Sequence, residues 1–225
     1  MNSYIIHLSR IPASFDSAKV LQAQLAAFGI TATLWEGTYG NEAIKQYREQ
    51  GRQCHPWSFK GPNRPLAEQQ QQDMMQPGLI GCFDSHYRLW QLCVELGEPI
   101  MIFEDDTRVI REFHTVEWQD VLVVASSHGK KMGRYMHYLE SPEGKPRAES
   151  YGQSSMPGAA GYVIKPHAAK ILVDQYANSF LPADNAINQH LVSILIHSHM
   201  MGQAQDREPT HGKSSLIRTR LWDTM

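Results

Sequence analysis

The chain has 225 residues, of which 42% are hydrophobic and 20% are charged, a composition typical of folded proteins rather than disordered ones. Its formal net charge is −2, which gives no support to a global electrostatic affinity for nucleic acid. No apolar run approaches the roughly 20 residues that a membrane-spanning helix needs. The three cysteines are an odd number without a Cys-x-x-Cys pair, so neither a disulfide framework nor a thiolate zinc site is indicated.

The N-terminal segment has a β-α-β pattern. Residues 4–8 form a short apolar run that predicts a first strand, and because this start lacks the features of a signal peptide we expect a cytoplasmic protein. Hydrophobic spacing predicts a helix over residues 14–28, which Gly29 ends. Residues 30–35 predict a second strand. This order is typical of a mostly parallel sheet.

The middle of the chain contains an irregular stretch followed by the clearest helix. Residues 37–78 are rich in glycine and proline, and we interpret them as a long irregular insertion with one helix near residues 41–50. Pro77 and Gly78 begin a helix with two adjacent apolar stripes, and Gly97 ends it. The remaining face of this helix is polar and includes Asp84. On this helix, Cys82 and Cys93 lie three turns apart and are interpreted as small buried hydrophobic residues.

Three continuous apolar runs in the second half predict buried strands. They are residues 100–103, 121–125 and 161–164. Two further helices are predicted, over residues 166–177 and 184–200, and residues 202–225 form a polar tail. We therefore predict an α/β fold with a mostly parallel, mixed central sheet flanked by helices, in a single domain over residues 1–225.

Three acidic residues, Glu104, Asp105 and Asp106, follow directly on the strand predicted over residues 100–103. In open α/β sheets, ligands bind outside the carboxyl ends of the strands. Carboxylate oxygens at such a place suit Mg²⁺ or Mn²⁺, held together with substrate phosphates. The pattern favours a divalent metal that bridges a nucleotide diphosphate. The alternative is an acidic turn in which Asp106 caps a following helix.

Several stretches of the chain, in this order and spacing, resemble glycosyltransferase family 25, the lipooligosaccharide galactosyltransferase type. They are residues 77–90, with Gly81-Cys82 and Ser85-His86; residues 102–106, with the three acids; residues 158–164 and 168–172; and Pro182-Ala183-Asp184. The resemblance extends from about residue 3 to residue 200. It implies a GT-A-like fold, a UDP-sugar donor, often UDP-galactose, a Mn²⁺-type metal, and inverting transfer to a bacterial surface glycan such as lipooligosaccharide.

The resemblance also implies roles for individual residues. Glu104 and Asp106 would hold Mn²⁺ or Mg²⁺, and Asp105 would orient the ribose or sugar of the donor. His211 lies beyond the resembling stretch and is a candidate to complete the metal shell, as one C-terminal histidine does in some GT-A enzymes. Asp184 would act as the general base that takes a proton from the acceptor hydroxyl. The remaining donor-binding candidates are Leu8, Arg10, His86, Gly158 and Gly161. The family usually has asparagine-leucine at the end of the first strand, where this chain has His7-Leu8.

Three of these candidates have a structural alternative that the sequence leaves open. His86 lies on an apolar helix face and could be an ordinary core histidine. The small-residue run over residues 158–161 could be a tightly packed turn. Asp184 precedes a predicted helix and could be its N-cap.

Residues 128–147 have a net charge of +3 with interleaved tyrosines. They would suit an anionic acceptor, such as a phosphorylated lipopolysaccharide core, or peripheral contact with the inner membrane; a solvated loop is the alternative. Nucleic acid is not expected as a partner. The main alternative to an enzyme is a catalytically silent sugar-nucleotide or glycan-binding protein of the same fold. A non-enzymatic interaction protein and a nucleotidyltransferase are further alternatives.

Overall fold

Residues 1–58, 61–109, 116–126, 145–146, 155–156 and 158–203 are described by a computed structural model. Its strands are β1 (Asn2–His7), β2 (Ala32–Glu36), β3 (Gln53–Cys54), β4 (Trp57–Ser58), β5 (Gly61–Pro65), β6 (Ile100–Glu104), β7 (Thr107–Val109), β8 (Val121–Ser126), β9 (Lys145–Pro146), β10 (Gly161–Ile164), β11 (Ser179–Phe180) and β12 (Ile194–Gln203). Its helices are α1 (Pro12–Ala27), α2 (Gly40–Glu49), α3 (Glu68–Asp73), α4 (Pro77–Leu96), α5 (Pro166–Gln175) and α6 (Ala183–Ala186).

The main sheet is mixed, as predicted, but it is not mostly parallel: among the described residues it has three parallel and four antiparallel strand pairs. Its strand order is β2-β1-β6-β10-β8-β12-β7, with β9 paired to β12. Strand β1 runs parallel to both β2 and β6, and β12 runs parallel to β8, whereas β10 is antiparallel to both of its neighbours. Because β2, β1 and β6 are parallel, their last residues lie at one edge of the sheet. The register brings His7 opposite Glu36, and Ile6 opposite Glu104.

Strand β6 is buried on both faces, which explains its continuous apolar run. Ile100 and Ile102 belong to one hydrophobic cluster, together with residues of α4 and α5. Met101 and Phe103, which alternate with them, belong to a second cluster that includes residues of α1. Helices therefore cover the two faces of the sheet at β6, and the acidic side chains follow at the carboxyl end of this strand.

Helix α4 begins and ends where the sequence predicts. Pro77 is in its first turn, and Gly97 adopts the left-handed conformation that ends it, with a φ of 67°. Asp84, which the spacing assigns to the polar face, is buried instead. Its carboxylate accepts hydrogen bonds from the Thr38 hydroxyl at 2.6 Å and the Tyr47 hydroxyl at 2.8 Å. These hydrogen bonds satisfy the carboxylate between α4 and α2.

Gly81 lies where α4 approaches the loop between β2 and α2. A Cβ atom on this residue would sit 2.6 Å from the carbonyl oxygen of Thr38, a backbone atom that cannot rotate away. We expect Gly81→Ala to lower the free energy of unfolding by about 3 kcal/mol through overpacking, as measured by urea denaturation. In the control Gly97→Ala, no atom lies within 4 Å of the added Cβ, and only the left-handed φ costs about 1 kcal/mol. Equal losses in the two variants would contradict the steric argument.

The stretch over residues 37–78 is more regular than its composition suggests. The helix predicted near residues 41–50 is confirmed as α2. The structure adds α3 and three short strands, of which β4 pairs with β5 and β3 pairs with β11. Strands of two to five residues separated by prolines and glycines leave too little periodicity in the sequence to be predicted from it.

The helix predicted over residues 184–200 is wrong. Helix α6 ends at Ala186, and the chain returns to the sheet as β12, which pairs in parallel with β8. The Asn188 side-chain amide donates to the carbonyl oxygens of Asn185 and Ala186. These two carbonyls lie at the end of the helix and would otherwise lack a helical partner. The apolar run over residues 194–196 then suits a strand beside β8. In the part of the chain that the structure describes, no helix combines the length and apolarity needed to cross a membrane.

Candidate active site

The three acids lie at the carboxyl end of β6, in the turn between β6 and β7. The carbonyl oxygen of Ala160 holds this turn, because it accepts the Glu104 N–H at 2.9 Å and the hydroxyl of Thr107. The Arg108 guanidinium donates to the carbonyl oxygen of Asp105 at 3.2 Å. A strand comes directly after the turn, so the alternative in which Asp106 caps a helix is wrong. The acids stand at the sheet edge where the fold is expected to bind ligands.

The Glu104 carboxylate faces one side of α4. The Cys82 thiol donates to Glu104 Oε1 over 3.7 Å, and His86 Nε2 lies 3.6 Å from the same oxygen. Cys82 and His86 are four residues apart, so both project from one face of the helix. Burial, together with the charges of Glu104, Asp184 and Asp106, raises the pKa of the Cys82 thiol well above its ordinary value. Cys82 is therefore a protonated donor to Glu104 rather than a thiolate nucleophile.

His86 has different surroundings at its two ring nitrogens. Nδ1 lies 2.9 Å from the hydroxyl of Tyr162, which also accepts a hydrogen bond from Trp90 Nε1 at 2.8 Å. Nε2 faces Glu104. The side chain is only 1% exposed. The Nδ1 side of His86 therefore has the surroundings expected of a core histidine, whereas the Nε2 side faces the acidic site.

Asp184 is the second residue of α6, directly after Pro182-Ala183. The N-cap of α6 is Pro182, and no side-chain cap hydrogen bond is present, so the alternative in which Asp184 is the N-cap is wrong. Burial raises the pKa of this carboxyl to about 6, with a further contribution from Glu104 that His86 opposes. Asp184 therefore lies within electrostatic range of Glu104 and His86, and its pKa suits a general base near neutral pH.

The raised pKa of Asp184 has a consequence for stability. The folded protein binds a proton on the Asp184 carboxyl more tightly than the unfolded chain does. The stabilisation that this proton provides is therefore fully present below about pH 4 and is lost as the pH rises through about 6. We expect Asp184→Asn to raise the free energy of unfolding by about 2–3 kcal/mol at pH 7.5 in chelator, and to leave it unchanged near pH 4. Urea denaturation at both pH values tests this. A gain of equal size at the two pH values would contradict a titration effect.

The predicted donor residues near the N terminus lie at the same sheet edge as Glu104. The Leu8 N–H, just after β1, donates to the Ser14 hydroxyl at 2.9 Å. The Arg10 N–H donates to the Tyr39 hydroxyl at 2.7 Å, and the exposed Arg10 guanidinium lies 4.2 Å from the centre of the Tyr39 ring. The guanidinium also forms an ion pair of 2.8 Å with Glu42. A role of Leu8 and Arg10 toward the donor stays a prediction.

The small-residue run has clear packing roles. Gly158 has a φ of 85°, which favours glycine, and its N–H donates to the carbonyl oxygen of Met156 at 2.9 Å. Gly161 begins β10, where an added Cβ would lie 2.9 Å from side-chain atoms of Ala125 and Phe103. These contacts fit the alternative of a packed turn, which supports the acidic turn through Ala160. Contact of Gly158 or Gly161 with the donor stays a prediction.

Two sequence predictions fall outside the described residues. His211, predicted to complete the metal shell, lies there, as does nearly all of the basic segment over residues 128–147. Their roles stay predictions.

Sequence reasoning missed the contacts of Cys82, Trp90 and Tyr162 around the site. Cys93 is buried as expected, but Cys82 contacts Glu104. The available signal was the four-residue spacing of Cys82 and His86 on a predicted helix. Tyr162 gave no such signal, because its partners Trp90 and His86 are distant in sequence.

The comparison with known proteins agrees with this architecture. The sequence model of glycosyltransferase family 25 (LPS biosynthesis protein) matches residues 2–187, well over half of the chain. Among curated proteins, none matches the sequence. The matched region includes β1, α4, the acidic turn and Asp184. The chain belongs to glycosyltransferase family 25.

Proposed function

We propose that the protein is a metal-dependent, inverting glycosyltransferase that moves a hexose from a UDP-sugar to a bacterial surface glycan such as lipooligosaccharide. Galactose is the first candidate for the hexose. Membership of family 25 supports glycosyl transfer in lipopolysaccharide biosynthesis. The observation that carries the finer proposal is the acidic turn at the carboxyl end of β6, where the Glu104 carboxylate faces Cys82 and His86 of α4. Burial and the charges of Glu104, Asp184 and Asp106 together raise the pKa of the Cys82 thiol.

The donor set fits a hard divalent cation. Burial, and after it the charge of Glu104, raises the pKa of the Asp184 carboxyl, and a cation would offset the repulsion between the two carboxylates. Glu104 and Asp106 offer the oxygen ligands that Mn²⁺ and Mg²⁺ prefer. In the proposal these two residues hold Mn²⁺ or Mg²⁺, with His211 as a further ligand. When bound, the cation would offset the charge that develops on the leaving diphosphate.

The reaction is a single displacement in which Asp184 accepts the proton. The acceptor hydroxyl oxygen forms a bond to the anomeric carbon of the donor sugar, on the face opposite the diphosphate. The bond between that carbon and the diphosphate oxygen breaks, and its electron pair leaves with UDP. The hydroxyl proton goes to the Asp184 carboxylate, which is mostly ionised at neutral pH because its pKa is about 6. Attack from the opposite face inverts the anomeric configuration.

The acceptor side of the proposal rests on the sequence. The basic segment over residues 128–147 has the charge to bind an anionic acceptor, a phosphorylated lipopolysaccharide core being the first candidate. The same charge supports peripheral contact with the anionic inner-membrane surface when the acceptor is lipid-linked.

A transfer assay tests the proposal. The full chain is incubated with UDP-galactose, Mn²⁺ and a deacylated lipooligosaccharide that lacks terminal galactose, and the product is examined by mass spectrometry and by NMR of the new anomeric proton. The expected product carries one added hexose in the β configuration, and chelator abolishes its formation. UDP-sugar binding without consumption would instead indicate a catalytically silent binding protein, and consumption of a nucleoside triphosphate would indicate a nucleotidyltransferase.

A further inference from the structure

The Tyr162 hydroxyl is buried between two hydrogen-bond partners. Trp90 can only donate a hydrogen bond to it, whereas His86 can either donate or accept one. Trp90 Nε1 carries a hydrogen and has no free lone pair for a hydrogen bond, so it donates to the Tyr162 oxygen at 2.8 Å. His86 Nδ1, at 2.9 Å, is either donor or acceptor, depending on its tautomer. The three side chains are fully buried, so the direction of each hydrogen bond must be settled among them.

The proton on Tyr162 decides the direction. Burial raises the pKa of this phenol well above its ordinary value, so it keeps its proton. In the described part of the chain, the hydrogen bonds of this hydroxyl are to Trp90 and His86. Because Trp90 cannot accept, the Tyr162 proton is donated to His86 Nδ1, and a neutral imidazole then carries its own proton on Nε2.

We infer that Tyr162 and Trp90 are positioning residues that hold His86 in the tautomer protonated at Nε2, and that this N–H orients the Glu104 carboxylate. Nε2 lies 3.6 Å from Glu104 Oε1, slightly longer than an N–H···O hydrogen bond but within range of electrostatic attraction. Cys82 donates to the same oxygen. Oε1 therefore faces α4, and Oε2 would be the oxygen of Glu104 left to hold a cation. This last step rests on the proposed function, whereas the tautomer does not.

A different interpretation of the same residues is a binding site for zinc, a softer metal ion than Mg²⁺ or Mn²⁺. The ligand atoms of Cys82, His86 and Glu104 all lie within 4.8 Å of one another. Zinc would need the lone pair of His86 Nε2, so Nδ1 would carry the proton and donate to Tyr162. The Tyr162 proton would then lose its acceptor in a buried site. The hydrogen-bond network therefore favours His86 as a donor to Glu104 over His86 as a ligand.

The tautomer is measured directly by two-bond ¹H–¹⁵N correlation NMR on the full chain, with His86 assigned by the loss of its signals in His86→Gln. The expected pattern in the unsubstituted protein is a protonated Nε2 and an unprotonated Nδ1. In Tyr162→Phe we expect this pattern to give way to a mixture of tautomers or to the Nδ1-protonated form. Tyr87→Phe is the matched control, because it also removes a hydroxyl beside α4, one that donates to the Val173 carbonyl oxygen. A protonated Nδ1 in the unsubstituted protein, or an unchanged pattern in Tyr162→Phe, would overturn the inference.

Transfer kinetics of two His86 variants provide a second test, one whose result a mere loss of packing would not reproduce. A glutamine amide can place its N–H₂ near the position of Nε2, whereas an asparagine amide reaches only the position of Nδ1. We therefore expect His86→Gln to retain at least about tenfold more transfer activity than His86→Asn, the size of effect known for partners of metal ligands. Equal activities in the two variants would contradict orientation of Glu104 by Nε2. If the unsubstituted protein transfers no sugar, the proposed function fails, and the NMR result still decides the tautomer.

Discussion

Replacing Asp184 with asparagine should lower the rate of sugar transfer by about 10²–10⁴-fold, the usual contribution of a general base. Asparagine has nearly the same shape as aspartate but cannot take up the acceptor's proton. Because no side-chain cap hydrogen bond holds α6, the helix should remain folded in this variant. Binding of UDP should be unchanged, because the proposed role of Asp184 concerns the acceptor. Steady-state transfer kinetics and UDP titration calorimetry measure the two effects separately.

Asp174→Asn is the control for this substitution. Asp174 is exposed on α5 and pairs with Lys170 one helical turn away, so its loss should change the transfer rate by less than about twofold. Transfer at close to the normal rate in Asp184→Asn would exclude Asp184 as the base. Loss of UDP binding in that variant would show that Asp184 acts on the donor instead.

Glu104→Gln should lower kcat/KM for the UDP-sugar by about 100-fold or more, because a neutral amide is a poor ligand for a hard divalent cation. The loss should come with a much weaker dependence of donor binding on Mn²⁺. Glutamine keeps an oxygen that can accept from Cys82 and His86, so the surroundings of the side chain should change little. Transfer rates measured against both donor and Mn²⁺ concentration provide the test.

Glu98→Gln is the matched control for Glu104→Gln. Glu98 lies just before β6, at the opposite end of the same strand, where it is exposed and accepts a hydrogen bond from the Asn2 side chain. Its replacement should leave the Mn²⁺ dependence unchanged. If Glu104→Gln and Glu98→Gln behaved alike, Glu104 would not be part of the metal site.

The two ends of α4 and the continuous strands could be predicted because their signals are local. Pro77 and Gly97 bound the helix through backbone constraints that act at those residues. A strand covered on both faces needs apolar residues at every position, which residues 100–103 show. The same local logic placed the acids at the carboxyl end of a strand.

The prediction of a helix over residues 184–200 failed because local sequence signals favour a helix there, whereas strand pairing with residues distant in sequence decides the structure. Pro182-Ala183-Asp184 is a good helix start, and α6 does form there. Beyond Ala186, the conformation of the chain is decided by pairing with β8, which an isolated sequence does not display. The assignment of Asp84 to the polar face failed for a related reason. Its burial depends on hydrogen bonds from Thr38, which lies in a loop, and from Tyr47, which lies in α2.

The candidate site could be predicted in its acids but not in the contacts that orient them. Residue type, position and family resemblance make Glu104, Asp106 and Asp184 candidates, and their roles stay predictions. The contact of Cys82 with Glu104 and the series of hydrogen bonds from Trp90 through Tyr162 to His86 join α4 to two different strands. Such contacts depend on tertiary packing, and hydrophobic periodicity does not encode them.

A thermal-shift panel of UDP-sugars, each with and without Mn²⁺, is the most direct test of metal-dependent donor binding. We expect one UDP-sugar, with UDP-galactose the first candidate, to raise the Tm only when Mn²⁺ is present. A ligand at 100 times its Kd stabilises by about 2.7 kcal/mol, which is easily measured. The shift should disappear in Asp106→Ala. The absence of a shift with every UDP-sugar, with and without metal, would contradict metal-dependent donor binding and would make the acids at the end of β6 an ordinary acidic turn.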